Sequence, residues 1–331
     1  MTTPTNQMKN VYLKLANNGY KKHFVRSLLP EWWDDEIANT DSGLQQVSLI
    51  LGRILGVRPE SLWVESAALE LSIPKDRKFK HRADTLKGSL DVACAISNAI
   101  AKIVVSGYLP TFKKDQLVDA AELRNRILDK DSWVTLQKLL DYCNDVGIPI
   151  IHLSYFPSGC KKMAGLAFQL AGRPVIVLTE TKKHGYMLFD LAHELGHVTL
   201  NHVSKETWVI DERIEEDSDD EYEKAANRFA LELLTGTPDC RIVPSGRNLS
   251  GQELATAASR FGHQHKVDPM HVALNYAHNT KHWPVAQIAL SLLASNQPTD
   301  QELLRRNLFN NIDHDCIGED DLAVVQKYCG N

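Results

Sequence analysis

Two histidines and a glutamate in the second half of this 331-residue chain have the types and spacing to hold a metal ion and put it to use. The stretch from Leu188 to His202 reads LFDLAHELGHVTLNH and contains His193-Glu194-Leu195-Gly196-His197. On an α-helix, residues four apart differ by about 40° of rotation, so His193 and His197 project from one face and both imidazoles can reach one ion. Glu194 lies about 100° round from His193, beside such an ion, where a carboxylate can take a proton from a water molecule. Two imidazoles leave the coordination incomplete, so another ligand must come from elsewhere in the chain.

Two placements of that ligand can be tried on the residues. A third histidine in the same extended motif needs Gly three residues after His197 and His three further on, but those positions are Leu200 and Val203. His202 falls five residues past His197, which on a continuing helix turns it away from the ligand face, so it reads as a helix-end histidine. The alternative is a glutamate on a following helix. The run EYEKAANRFALELL, Glu221 to Leu234, has an apolar face of Ala225, Ala226, Phe229, Ala230, Leu233 and Leu234 at helical spacing. Glu223 sits near its start, with Glu221 as the neighbouring alternative, and the small alanines allow close approach to the first helix. Asn227, one turn after Glu223, can hydrogen-bond the outer nitrogen of a ligating histidine. The intervening DERIEEDSDDEYE reads as a solvated acidic loop.

Other elements must position these groups. IPIIHLSYF, MAGLAFQL and RPVIVLTE, between Ile148 and Glu180, are short β-branched or aromatic runs separated by turn residues, and predict three strands ahead of the histidine helix. Pro174 to Thr179 is expected to be an edge against which an extended peptide could pair. Asp131-Ser132 is read as the cap of a preceding helix, Trp133 to Val146. In the C-terminal third, Ser250 and Asp268-Pro269 each mark a helix start. His184, Tyr186, His271, Tyr276 and His278 have the residue types to stabilise an oxyanion, although each also suits packing or the surface.

HELGH followed by E-x-x-A-N-x-F-A-x-x-L-L, Glu223 to Leu234, resembles the ImmA/IrrE family of metallopeptidases. The three predicted strands resemble that family's short sheet, and the likeness covers about Trp133 to Thr235. Carried over residue by residue, the resemblance implies His193, His197 and Glu223 as metal ligands and Glu194 as general base, with Asn227 behind a ligand. It implies zinc, with manganese left open, and a protein substrate, in that family often a helix-turn-helix repressor. The fold expected is α+β and predominantly helical, with a zincin-like, gluzincin-type core of three strands packed on the histidine helix. The expected divisions are an N-terminal helical domain over 1–74, a helical connector over 75–130, the metallopeptidase core over 131–244 and a helical region over 245–331.

The N-terminal run LILGRILGVRPESLW, Leu49 to Trp63, resembles the closing helices of XRE-type helix-turn-helix domains, with Gly56-Val57 as a helix stop. Upstream, Trp32-Trp33-Asp34-Asp35-Glu36 puts acid where a reader of DNA bases would need Arg or Lys. The basic run KDRKFKHR, Lys75 to Arg82, lacks an aromatic stacking platform and reads as a solvated linker.

Composition narrows the class. A formal charge of -5 gives no global pull toward nucleic acid, and DNA binding would rest on the N-terminal domain alone. Six scattered cysteines without a CxxC pair argue against a cysteine-held zinc and a disulfide scaffold, and fit a reducing cytoplasm. No signal peptide or membrane span is expected, and Leu90 to Val105, broken by Asp91, Asn98 and Lys102, reads as a buried helix. The leading expectation is a zinc-dependent endopeptidase acting on a partner protein, with a transcriptional repressor in a stress, mobile-element or phage-related switch as the implied substrate. A regulatory binding protein that uses the fold as a sensor, and a toxin or defence effector, stand as alternatives.

Overall fold

The computed structural model describes residues 7–64, 66–73, 77–79, 90–181, 185–203, 208–211, 220–294 and 298–330. The chain opens with helices α1 (Gln7–Ala16), α2 (Lys22–Leu28), α3 (Asp41–Leu55) and α4 (Glu60–Trp63). Helix α3 stops where the sequence predicts. Gly56 adopts φ 69°, and a Cβ there would lie 2.1 Å from the Ala95 carbonyl oxygen, so only glycine fits. After strand β1 (Arg77–Phe79) come α5 (Asp91–Gly107), α6 (Ala120–Leu128) and α7 (Leu136–Asp145). Helix α7 is capped by Thr135, whose hydroxyl accepts from the Lys138 N–H, and not by the expected Asp131-Ser132. A Thr three residues before that amide supplies the same acceptor closer to the helix.

Strands β2 (Ile150–His152), β3 (Gly165–Leu170) and β4 (Arg173–Leu178) lead into α8 (Tyr186–Thr199), which carries the His-Glu-x-x-His residues. Strand β5 (Trp208–Asp211) precedes α9 (Glu221–Thr235). The chain ends in α10 (Gly251–His265), α11 (Pro269–Thr280), α12 (Trp283–Leu293), α13 (Asp300–Asn310) and α14 (Glu319–Cys329). Ser250 opens α10 with a reciprocal capping box to Glu253, and Asp268 caps α11, as the sequence predicts.

The fold is α+β and mostly helical, but the sheet has five strands, in the order β1-β5-β3-β4-β2, where the sequence shows three. β3 is antiparallel to both β4 and β5, while β2 and β1 join the two sides in parallel. The two missed strands are three and four residues long and adjoin charge runs, too short for an alternation to register. β1 lies inside the basic run expected to be linker; Lys75, Asp76 and Lys80 to Arg82 lie outside the described residues, as do 212–219 of the acidic loop. β4 is also interior, flanked by β3 and β2, so the expectation of a substrate-pairing edge at Pro174 to Thr179 is corrected.

Alternation along the strands divides two cores. Leu166, Phe168, Val175, Val177, Trp208 and Ile210 face one side, sharing a core with α1 to α3, α5 and α14. Ala167, Ile176, Leu178 and Val209 face the other, against α7, α8 and α9. Helix α8 is thus buried between the sheet and α9, and its polar stripe of Asp190, His193, Glu194 and His197 is buried along with its apolar residues. A third cluster joins α10, α11 and α12. Among the described residues, no helix is long and apolar enough to cross a membrane; Leu90 to Val105 lies on the buried α5.

Candidate metal centre

The two helices that bear the candidate ligands meet at their small residues. A Cβ on Gly196 of α8 would lie 3.2 Å from the Ala226 Cα of α9, tighter than an ordinary Cβ contact, so a side chain there would push the helices slightly apart. Of the alanines expected to permit this, Ala226 and Ala230 are fully buried, while Ala225 is half-buried. Each helix is anchored at its far end by residues outside the pair. The N-terminus of α8 is held by Gly185, at φ 87°, whose N–H donates to Asp300 Oδ2 of α13 at 3.0 Å. At the C-terminus of α9, the buried Arg124 of α6 donates to the Leu233 and Leu234 carbonyls at 3.1 and 2.8 Å.

Between these anchors the predicted groups converge. His193 Nε2 and His197 Nε2 are 3.0 Å apart, and the Glu223 carboxylate lies 3.5 Å from the first and 3.3 Å from the second. One ligand atom from each residue falls within 4.8 Å of the others, and all three residues are buried. Glu221, the alternative, is 86% exposed in its side chain and pairs with Lys224, so the buried carboxylate is that of Glu223. Burial alone would raise the Glu223 carboxyl, but the two imidazoles outweigh it and hold the group well below the usual carboxylate range. A carboxylate kept ionised beside two imidazoles is a donor set suited to a divalent cation.

The outer ring nitrogens also have partners. His193 Nδ1 lies 2.8 Å from Asn227 Oδ1, as the one-turn spacing from Glu223 predicts. Because that oxygen only accepts, it favours the tautomer with the proton on His193 Nδ1, which would leave Nε2 to face an ion held at the centre. On His197 the corresponding partner is His202, with Nδ1 to Nδ1 at 2.9 Å. The expectation that His202 turns away from the ligands is therefore corrected. A continuing helix would carry the ring away, but α8 ends at Thr199, and Asn201 reverses the chain at φ 57°. The Asn201 N–H then donates to the Val198 carbonyl and the His202 N–H to the His197 carbonyl, a left-handed closure that swings His202 back over His197. The signal was present as Asn-His just past the helix, since Asn is the non-glycine residue most at ease in that conformation.

Glu194 is fully buried and faces the sheet. Its carboxylate packs on Gly165 at the start of β3, where a Cβ would come within 1.7 Å of Oε1. The role of Gly165 is absent from the sequence reading, although an isolated glycine in a strand marks close approach of another group. The oxyanion candidates are dispersed. His184 lies outside the described residues. The Tyr186 hydroxyl meets Gln287, and the Tyr276 hydroxyl accepts from the Leu249 N–H, both toward the C-terminal helices. His271 is buried and stacks on Phe189, with ring centroids 5.9 Å apart. His278 is half-buried on α11. None of the six cysteines is in a disulfide and none joins the centre.

Against known families, residues 143–267 match the model described as Peptidase_M78, the IrrE N-terminal-like domain. Comparison with curated proteins and with solved structures finds no match. The matched segment holds both helices of the centre and β2 to β5, while Arg124 lies outside it. Residues 143–267 are therefore similar to an IrrE N-terminal-like domain of the ImmA/IrrE type, a likeness that supports a metallopeptidase.

Proposed function

We propose that this protein is a zinc-dependent endopeptidase that cuts a specific protein partner, with a helix-turn-helix transcriptional repressor as the substrate class. The observation that carries this reading is the buried convergence of His193 Nε2, His197 Nε2 and the Glu223 carboxylate, with Glu194 on the same helix as the histidines. Two imidazoles and one carboxylate from a following helix form a three-ligand set that leaves a position open for chemistry, the gluzincin-type arrangement. Held by His193, His197 and Glu223, zinc would supply Lewis acidity, lowering the pKa of a water toward neutral and polarising a substrate carbonyl.

The chain's own groups do the rest. Asn227 and His202 hold the outer nitrogens, so that both Nε2 atoms face inward. Glu194 takes the proton from the attacking water at its carboxylate and returns it to the departing amine. The bed formed by Gly165 keeps that carboxylate pressed into the site.

Glu194→Gln is the test, because it leaves the three proposed ligands in place. We expect metal content equal to wild type and cleavage lower by about 10²- to 10⁴-fold. The inactive variant should capture uncut partner, which mass spectrometry identifies, and metal analysis distinguishes zinc from manganese. Full cleavage by Glu194→Gln would overturn the mechanism.

A further inference from the structure

We infer that His202 is a positioning residue for the metal centre, accepting the outer proton of His197 and so fixing the tautomer in which His197 presents Nε2 to an ion. This inference rests on the metal reading above. Three observations carry it. First, His202 Nδ1 lies 2.9 Å from His197 Nδ1, while His197 Nε2 points to His193 and Glu223. An imidazole that gives one nitrogen to a cation carries its proton on the other, and that proton needs an acceptor when the ring is buried. His197 is fully buried, so the acceptor has to come from the protein.

Second, the arrangement repeats on the other ligand by a different route. His193 Nδ1 meets Asn227 Oδ1 at 2.8 Å, from a neighbouring helix, whereas His202 comes from the end of the same helix as its ligand. Both ligands are thus held at both nitrogens. Third, the backbone is built for this contact. Asn201 at φ 57° closes α8, the His202 N–H donates to the His197 carbonyl at 2.9 Å, and Gln169 of β3 donates to the Val203 carbonyl just beyond. The His202 ring also stands edge-on to Tyr222, with centroids 4.5 Å apart, and Tyr222 adjoins Glu223 in sequence. His202 therefore spans from one metal-bearing helix to the other.

Packing against Tyr222 and accepting from His197 make opposite demands on a substitute. His202→Asn puts an amide oxygen where the imidazole Nδ1 lies and can accept, but offers Tyr222 no ring; His202→Phe keeps the ring and has no acceptor. Zinc affinity of the full chain, measured by competition with a chelator, reads the difference. We expect His202→Phe to bind zinc about 10- to 100-fold more weakly than wild type, and His202→Asn to stay within about threefold. Melting of the metal-free forms monitors the fold separately. In the zinc-loaded wild type, nitrogen NMR should show His197 protonated at Nδ1 and His202 unprotonated there, a readout that needs no variant. Wild type that takes up no zinc overturns the metal reading and this inference together. Zinc uptake by wild type with His202→Phe unimpaired, with His202→Asn as weak as His202→Phe, or with His202 protonated at Nδ1 overturns the positioning role alone.

Discussion

Gly165 on β3 touches the Glu194 carboxylate so closely that an added Cβ would lie 1.7 Å from Oε1 and 2.7 Å from Cγ. No rotamer change at residue 165 relieves this, because a Cβ is fixed by the backbone; the glutamate side chain has to move. Gly165 φ is not in the left-handed region, so alanine costs the strand little by itself. The expected outcome of Gly165→Ala is a folded protein with normal zinc stoichiometry and cleavage reduced by at least about tenfold, since misplacing a catalytic group by an ångström costs that much or more. Wild-type cleavage rates in this variant would show that the Glu194 carboxylate is not held where the proton transfer requires it.

Arg124 joins two helix ends. Besides the Leu233 and Leu234 carbonyls of α9, its guanidinium donates to the His265 and Lys266 carbonyls at the end of α10, at 3.3 and 2.8 Å. A cation at two helix C-termini satisfies carbonyls that have no partner within their own helices and meets both dipoles favourably. Arg124→Met keeps the stem but removes all four bonds, and is expected to cost about 3 kcal/mol or more of stability in denaturant unfolding. Because Glu223 sits on the first turn of α9 and Leu234 on the last, zinc stoichiometry should not change. Unaltered stability would mean that water replaces the guanidinium at no cost.

His271 gives the fold a pH dependence. It is fully enclosed and stacked on Phe189; neither ring nitrogen has a hydrogen-bond partner among the described residues. Burial, with the Arg124 charge adding, pushes its pKa from 6.5 down to about 4. Between those values the unfolded chain binds a proton that the folded chain refuses, so this contribution to stability is present above about pH 6.5 and is lost as the pH falls toward 4. Asp268 works in the opposite sense, since burial raises its carboxyl to about 6 and the folded chain takes up a proton there. His271→Leu removes only the first effect. Relative to wild type, the variant should gain stability steadily from pH 7 to pH 4, by up to about 3 kcal/mol, as read from urea unfolding at several pH values. A stability difference independent of pH would mean that His271 is protonated inside the fold.

The grouping of the candidate metal centre was legible in the sequence because its spacings are local to single helices. His193, Glu194 and His197 share α8, and Glu223 and Asn227 share α9, so helical periodicity alone predicts which groups face the same way. Helix caps at Ser250 and Asp268, and the stop at Gly56, are equally local. What required the tertiary structure was everything set by an encounter between distant segments or by where a helix ends. Glu223 rather than Glu221 became the buried carboxylate through the packing of α9 on α8 at Gly196 and Ala226. The sheet gained β1 and β5 because short strands draw their stability from neighbours that no local pattern reveals. The same pairing made β4 an interior strand and set Gly165 beneath Glu194. His202 shows the limit most directly: five residues from His197, it points away on an ideal helix and toward it once Asn201 turns the chain left-handed. Helical rotation is a property of the sequence spacing, whereas the point at which rotation stops is settled by capping and by the contacts that hold the next segment in place.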